Sequence, residues 1–491
     1  MKQYLLGIDV GTTGTKTLLV SVDGVVVKHA YRSYETDTPM VGWSEQRAED
    51  WWQAVTETVK ELCAEAEVAE NVAAISLSVQ GGTIVATDAE FCSLHPALVW
   101  NDSRCESQRD AFLHEVGTDA DLYQITGWHL TCGSPVLQLR WLRENRPEIF
   151  AKAVWFLSVP DYICAKMTGV PTVDLSSAGI NRLCDIKRGI YAEKLLEFVG
   201  ISKEKLPRIV HSGEAVGHLT EKAAQELGLT TKTVVVAGAH DQYAVALGAG
   251  ACKPGDLVIG TGTCWVITAI SDTPHFASGL NQSIAAIPNT WGTLWSLPSG
   301  GVCLEWLRKK LHQDEKLMTY EKINQTAASR HAAEEGLFFY PFSGRSEAGK
   351  TFRRGTFVGL DLSHDIYDLA RAVMEGVAFQ IVWMLGNIHM TPGTAVRLSG
   401  GASQSELWCQ IVADTAGVPV VIPQFADLAC VGAAILAGCG CEIYSDAAEG
   451  YETLAVQEKI IEPDNARAKQ YRGLLEAYIK QAKQLGTLYK I

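Results

Sequence analysis

The chain lacks any apolar run near the roughly 18 residues that a membrane-spanning helix needs. Its first apolar stretch, Tyr4 to Ile8, meets Asp9 before any cleavage-site pattern, so a soluble chain without a signal peptide is expected. A basic run or arginine-rich stripe is also missing: 42 Lys and Arg stand against 56 Asp and Glu, for a formal net charge of -14. That balance argues against nucleic acid or an anionic membrane surface as partner. No Cys-x-x-Cys occurs among the 13 cysteines, an odd number scattered from Cys63 to Cys441. This is the usage of reduced thiols in a cytoplasmic protein, and the close pair Cys439 and Cys441 has no nearby Cys or His to complete a zinc site. Low-complexity and linker-like stretches are absent as well. What is present is 491 residues, 47% of them hydrophobic, too long for one ordinary domain and too apolar for disorder.

The opening reads as a strand meander: Tyr4 to Asp9, the turn Gly11-Thr12-Thr13-Gly14, then Lys16 to Ser21, then Asp23-Gly24 before Val25. Asp-Gly between two β-rich runs is a hairpin signal. From Ala48 to Ala66 the period changes, with Trp51, Val55, Val59 and Leu62 on one helical face. Ala73 to Val79 and Thr83 to Asp88 return to strand character, and such alternation points to an α/β class. Lys232 to Ala237 forms a short β run ending in Gly238-Ala239-His240-Asp241, followed by a small-residue helix, Tyr243 to Gly250. A second opening follows Pro254-Gly255: Asp256 to Ile259, the turn Gly260-Thr261-Gly262-Thr263, then Cys264 to Ile270. It repeats the first in kind, so two similar α/β halves are expected, 1–248 and 249–491. Helices are expected at Ile366–Leu385, Glu406–Ala416 and about Asn465–Leu485, and a strand from Ala395 enters Ser399-Gly400-Gly401-Ala402.

Gly/Thr turns between paired strands offer backbone N–H groups and hydroxyls without bulk, which lets a polyphosphate approach the main chain. Asp9 before the first turn is suited to hold Mg²⁺ through water, and Lys16 after it to meet phosphate charge. A P-loop is excluded, because Thr15 stands where its glycine must precede the lysine and a strand, not a helix, follows. Gly400 and Gly401, between a strand and a helix, allow a flat ligand near a helix N-terminus, although a lone Gly-Gly there is usually just a tight turn. Asp241 lies at the end of an apolar strand among small residues, where it suits a general base for a substrate hydroxyl; an N-cap role for the next helix is the alternative and does not exclude the first.

In their order and spacing, Asp9-Val-Gly-Thr-Thr-Gly-Thr-Lys16, Gly238-Ala-His-Asp241, Gly260-Thr-Gly-Thr263 and Ser399-Gly-Gly-Ala402 resemble the motifs of the FGGY carbohydrate kinases. Those are two phosphate motifs, a catalytic aspartate and an adenosine motif, and the resemblance spans essentially the whole chain. Gly355 to Leu360 with Asp368, Leu369 and Ala372 to Glu375 looks like the family's C-terminal signature. The N-terminal signature, Gly133 to Leu142, departs at Gln138, where a lysine is usual. The fold implied is that of actin, sugar kinases and heat-shock chaperones, two ribonuclease H-like domains around a central cleft that close on substrate.

Gly42-Trp-Ser-Glu-Gln46 and Leu98-Val-Trp-Asn-Asp-Ser-Arg104 are most similar to xylulokinases. Where those carry Gln-Met-His-Gly, this chain has Gln80-Gly81-Gly82-Thr83, which suggests room for a longer or bulkier acceptor. The activity implied is transfer of the ATP γ-phosphoryl to a sugar or polyol, with D-xylulose first among acceptors and an erythritol-type polyol, another ketose, a sugar acid or glycerol as alternatives. By the same resemblance Asp241 is the catalytic base, and Gln80, Gly81, Gly82, Trp100 and Asp102 face the acceptor. Thr12, Thr13, Lys16, Gly260, Thr261, Gly262 and Thr263 handle the phosphates, and Gly301, Glu305, Gly400, Gly401 and Ser405 surround adenosine. ATP and Mg²⁺ are the implied cofactors, and a homodimer the implied assembly. A nucleotide-switched interaction module on the same fold is the rival, and it needs no general base.

Overall fold

The computed structural model describes residues 3–277, 279–310, 318–342, 344–345, 352–386, 395–425, 427–454 and 456–488. They form two compact units, each built on a mixed sheet flanked by helices. Among the described residues no helix is long and apolar enough to cross a membrane.

In the first unit the opening meander becomes β1 (Tyr4–Val10), β2 (Gly14–Ser21) and β3 (Val26–Ser33). Gly24 makes the second turn at φ +90°, a left-handed position that the Asp-Gly pair anticipates. β4 (Val72–Val79), β5 (Ala215–His218) and β6 (Val234–His240) complete the sheet in the order β5-β6-β4-β1-β2-β3. Strand β6 runs three residues beyond the expected end and carries His240 into the interior. The helix α1 (Ala48–Leu62) buries Trp51, Val55, Val59 and Leu62, the face its periodicity marks. Two short helices, α2 (Leu175–Ile180) and α3 (Asp241–Gly248), follow, and a second apolar core around Phe112, Leu137, Phe156 and Phe198 packs within the same unit.

The second sheet contains β7 (Leu257–Thr261), β8 (Trp265–Ser271), β9 (Val396–Ser399), β10 (Val420–Pro423) and β11 (Glu458–Ile461), side by side as β8-β7-β9-β10-β11. Along that order the pairings are antiparallel, parallel, parallel and antiparallel. The first sheet has the same succession along β2-β1-β4-β6-β5. The repeat seen in the Gly/Thr turns is therefore a repeat of topology. Helices α4 (Gly301–Lys310), α5 (Ile366–Leu385) and α6 (Glu406–Ala416) flank this sheet. In α5, Glu375 accepts from Arg371 Nε and from the Tyr471 hydroxyl, each at 2.7 Å, so the charged end of the C-terminal signature is a buried structural pair.

Neither compact unit is continuous along the chain. Residues 270–292 and 427–456 belong to the first unit. Close backbone packing explains the return of α7 (Leu428–Gly440). A Cβ on Gly432 would lie 2.0 Å from the Ala244 carbonyl oxygen, and one on Gly248 1.9 Å from that of Leu428. Helices α3 and α7 thus meet main chain to main chain, which only glycine permits.

Candidate active site

Parallel pairing of β1, β4 and β6 brings their carboxyl ends together, with Asp9 opposite Ser78 and Val79 opposite His240. Ser78 Oγ donates to Asp9 Oδ1 at 2.7 Å. Burial pushes the Asp9 carboxyl up to about 6; the Ser78 hydrogen bond and Lys16 oppose the shift, while the charges of Asp241 and Asp427 add to it. Lys16, opposite Asp9 on β2, places Nζ 3.0 Å from Asp427 Oδ1 at the start of α7. Partial burial works against its charge, yet Asp427 and Asp9 hold the ammonium above its ordinary value.

Asp241 is the first residue of α3 and makes no capping hydrogen bond; His240 occupies the N-cap position. Its Oδ1 is buried, has no hydrogen-bond partner and lies 3.5 Å from His240 Nε2. The carboxylate is therefore not engaged in helix capping and remains available for chemistry. Among the described residues no three His, Cys, Asp or Glu side chains are arranged to hold a metal ion by themselves. Asp9, Asp241 and Asp427 nonetheless interact electrostatically around one lysine, with one orphaned oxygen, and this donor chemistry fits Mg²⁺ that keeps waters and phosphate oxygens in its shell.

The expected acceptor-facing residues divide. Gln80 is buried; its amide donates to Gln46 Oε1 at 3.1 Å and its Oε1 accepts from the Thr12 hydroxyl at 3.2 Å. Trp100 is half exposed, outside any core, with Nε1 donating to Thr12 Oγ1 at 3.2 Å. Gln46 also donates to the Thr12 carbonyl at 2.6 Å, so the first Gly/Thr turn is tied to both candidate sugar contacts, while Thr13 is exposed. Gln138, in place of the usual lysine, donates to the Val99 carbonyl beside Trp100 at 3.0 Å.

Asp102 departs from expectation. It is fully buried, accepting from the Ser44 N–H at 2.6 Å and from Arg104 Nη2 at 2.7 Å, so its oxygens are engaged within the protein. Gly81 departs as well. A Cβ there would lie 2.6 Å from His240 Cδ2 and 2.6 Å from Ile180 Cδ1, so the missing side chain leaves no room for a larger acceptor. Gly82, at φ +76°, would bring a Cβ to 3.2 Å from that of Trp100.

In the second unit a cavity of about 530 Å³ is lined by Thr261, Gly262, Thr263, Gly301, Glu305, Gly401 and Ser405. The Thr261 hydroxyl is buried, donating to the Ser399 carbonyl at 2.6 Å and accepting from the Ala402 N–H at 3.1 Å, so it joins the two loops instead of facing a ligand. Gly262 and Thr263 are exposed, while Gly260 lies within β7, paired with Val266. Gly400, at φ +94°, sets the loop against Thr261, where a Cβ would meet its backbone at 3.1 Å. Glu305 is bound by Arg308 Nε at 2.9 Å, Lys309 Nζ at 2.8 Å and the Tyr320 hydroxyl at 2.5 Å. The Arg308 hydrogen bond is the chief reason its carboxyl is held far below the usual range. Ser405 caps α6 and donates to Asn324 Oδ1 at 2.7 Å.

Sequence reasoning missed Ser78, Asp427, His240, Tyr320 and Asn324. Strand pairing of β1 with β4 would have pointed to Ser78, and the Gly238-Ala-His-Asp241 motif to His240; no local signal marks the others.

The model of the FGGY family of carbohydrate kinases, N-terminal domain, matches residues 4–248, and that of the C-terminal domain matches 255–441. Over 502 residues the chain is 27% identical to a gluconokinase of Bacillus subtilis, covering 100% of this chain and 97% of the relative. It is 28% identical over 499 residues to a xylulose kinase of the same organism, covering 99% of each. The solved structure of a xylulose kinase from Rhodospirillum rubrum superimposes with a TM-score of 0.92 at 27% identity, covering 99% of this chain and 100% of that one.

Proposed function

The chain belongs to the FGGY family of carbohydrate kinases, enzymes that use ATP, and from that premise we propose that Asp241 is its general base and D-xylulose its first acceptor. The observation that carries the reading is Asp241 itself: a carboxylate at a strand's carboxyl end, free of helix capping and near enough to Asp9 for their charges to interact. A carboxylate so placed can orient an acceptor hydroxyl for in-line attack on the γ-phosphorus and take its proton as the new bond to phosphorus forms and the bond to the β,γ-bridging oxygen breaks, ADP leaving with that oxygen. Mg²⁺, held near Asp9, Asp241 and Asp427, would neutralise phosphate charge. Lys16 balances the remaining charge, and its pairing with Asp427 supports a place for it near the phosphates. Adenosine would take the cavity bounded by Gly301, Gly401 and Tyr320, whose apolar floor includes Met374 and Trp408. Gln80 and Trp100, joined through Thr12, would read the acceptor. D-gluconate is the second acceptor, favoured by the likeness to a gluconokinase over the whole chain. A cytoplasmic homodimer accords with the family resemblance.

ADP release coupled to NADH oxidation, run with D-xylulose, D-gluconate, erythritol and glycerol, tests the acceptor; turnover of glycerol alone overturns the sugar reading. Asp241→Ala is expected to lower kcat by about 10²- to 10⁴-fold while ADP binding persists. A variant within tenfold of wild type removes Asp241 from the role of base.

A further inference from the structure

His240 stands between two features that the mechanism leaves unexplained. Its imidazole is 5% exposed and packs edge-on against Trp128, with ring centroids 6.0 Å apart, and at a tilt against Tyr243 at 5.9 Å. Its backbone N–H donates to Ser176 Oγ at 2.9 Å, and that hydroxyl in turn donates to Asp174 Oδ1. The ring is thus fixed from both sides, by aromatic packing and through an anchored main chain.

Two polar atoms in this well-packed setting have no hydrogen-bond partner: His240 Nδ1 and Asp241 Oδ1. Buried polar atoms are rarely left unpaired without a functional reason. Nε2 lies 3.5 Å from Asp241 Oδ1, long for a hydrogen bond but typical of catalytic contacts that tighten when substrate is bound. The ring also needs a vacancy on its other side, and Gly81 supplies it, since a Cβ there would stand 2.6 Å from Cδ2 and 2.8 Å from Nε2. An alanine at 81 would push against the very nitrogen that faces the base.

We propose that His240 is the positioning residue of Asp241 and that Gly81 exists to admit it. The imidazole holds Oδ1 through Nε2–H and so turns the second carboxylate oxygen toward the acceptor hydroxyl. The inference rests on Asp241 being the base. Its consequence for specificity is that the space freed at Gly81 belongs to the protein, so a preference for a larger acceptor does not follow from that glycine.

The test compares His240→Leu, which keeps bulk without a donor, with His240→Gln, whose Nε2 can reach the position of the imidazole Nε2. The acceptor is whichever of D-xylulose and D-gluconate the wild type phosphorylates faster, or water, read as ATP hydrolysis, if it phosphorylates neither. His240→Leu is expected to lose 10- to 100-fold in kcat with the KM for ATP within threefold, and His240→Gln to recover at least a third of the wild-type kcat. Gly81→Ala should lose kcat in the wild-type background and lose much less in a His240→Ala background, where no ring opposes the methyl group. Equal kcat for the Leu and Gln variants, or an undiminished Gly81 effect without the imidazole, overturns the proposal. If Asp241→Ala is inactive while the His240 variants match wild type, only this inference fails. An active Asp241→Ala removes its foundation instead.

Discussion

Asp9 is held in the fold at a cost, and Asp9→Asn should reveal it. The carboxyl ordinarily titrates at 3.8 and here at about 6. Below 3.8 the folded and unfolded chains are both protonated and nothing is lost. As pH rises from there to about 6, the unfolded chain releases this proton first, so stability falls, and above 6 the loss is complete. It amounts to about 3 kcal/mol at pH 8 and under about 1 kcal/mol at pH 4. Asparagine keeps an oxygen for the Ser78 hydroxyl and removes the charge that burial and Asp241 oppose. The ligand-free variant should therefore be more stable than wild type by about 3 kcal/mol at pH 8, with most of the gain gone at pH 4. Urea unfolding followed by tryptophan fluorescence at the two pH values measures the difference. On the proposed reading phosphoryl transfer should be lost in the same variant, since the charge that destabilises the fold is the one that would hold Mg²⁺. A gain that is absent, or equal at both pH values, would refute the electrostatic account of this site.

Asp102→Ala should cost about 3 kcal/mol of stability by leaving the Arg104 guanidinium with Glu45 alone, while the KM for the acceptor stays within about threefold. A selective rise in acceptor KM without loss of stability would restore Asp102 to the binding residues. Gly432→Ala should destabilise by about 1–3 kcal/mol or more, because its methyl would enter the Ala244 carbonyl; unchanged urea midpoints would show that α3 and α7 are not in backbone contact. Tyr320→Ala should raise the KM for ATP roughly tenfold, the loss of an aromatic wall worth about 1.4 kcal/mol, and leave kcat at saturating ATP near wild type. An unaltered KM would move the nucleotide elsewhere.

Several features were legible because they depend on neighbours in sequence. The apolar run Tyr4 to Ile8, the Asp-Gly turn and the amphipathic face of α1 each follow from local propensity and period. Asp241 was singled out from its place at the end of an apolar strand, and in the structure it opens α3 without capping it. What packs against a residue was not legible. Gly81 suggested an open space and instead faces His240; Asp102 suggested a ligand contact and instead pairs with Arg104; the Thr261 hydroxyl bridges two loops.

By itself, then, the sequence determined the family, the α/β class, the repeated turn chemistry and the carboxylates proposed to carry the chemistry, because turns and strand ends are specified by adjacent residues. Only the tertiary structure decided that α7 returns to the first unit, that Asp427 neutralises Lys16, and that Ser78 and Asp241 bear on Asp9. Those outcomes are set by strand register and by glycine contacts such as Gly248 with Leu428, which join segments remote along the chain and leave no local trace.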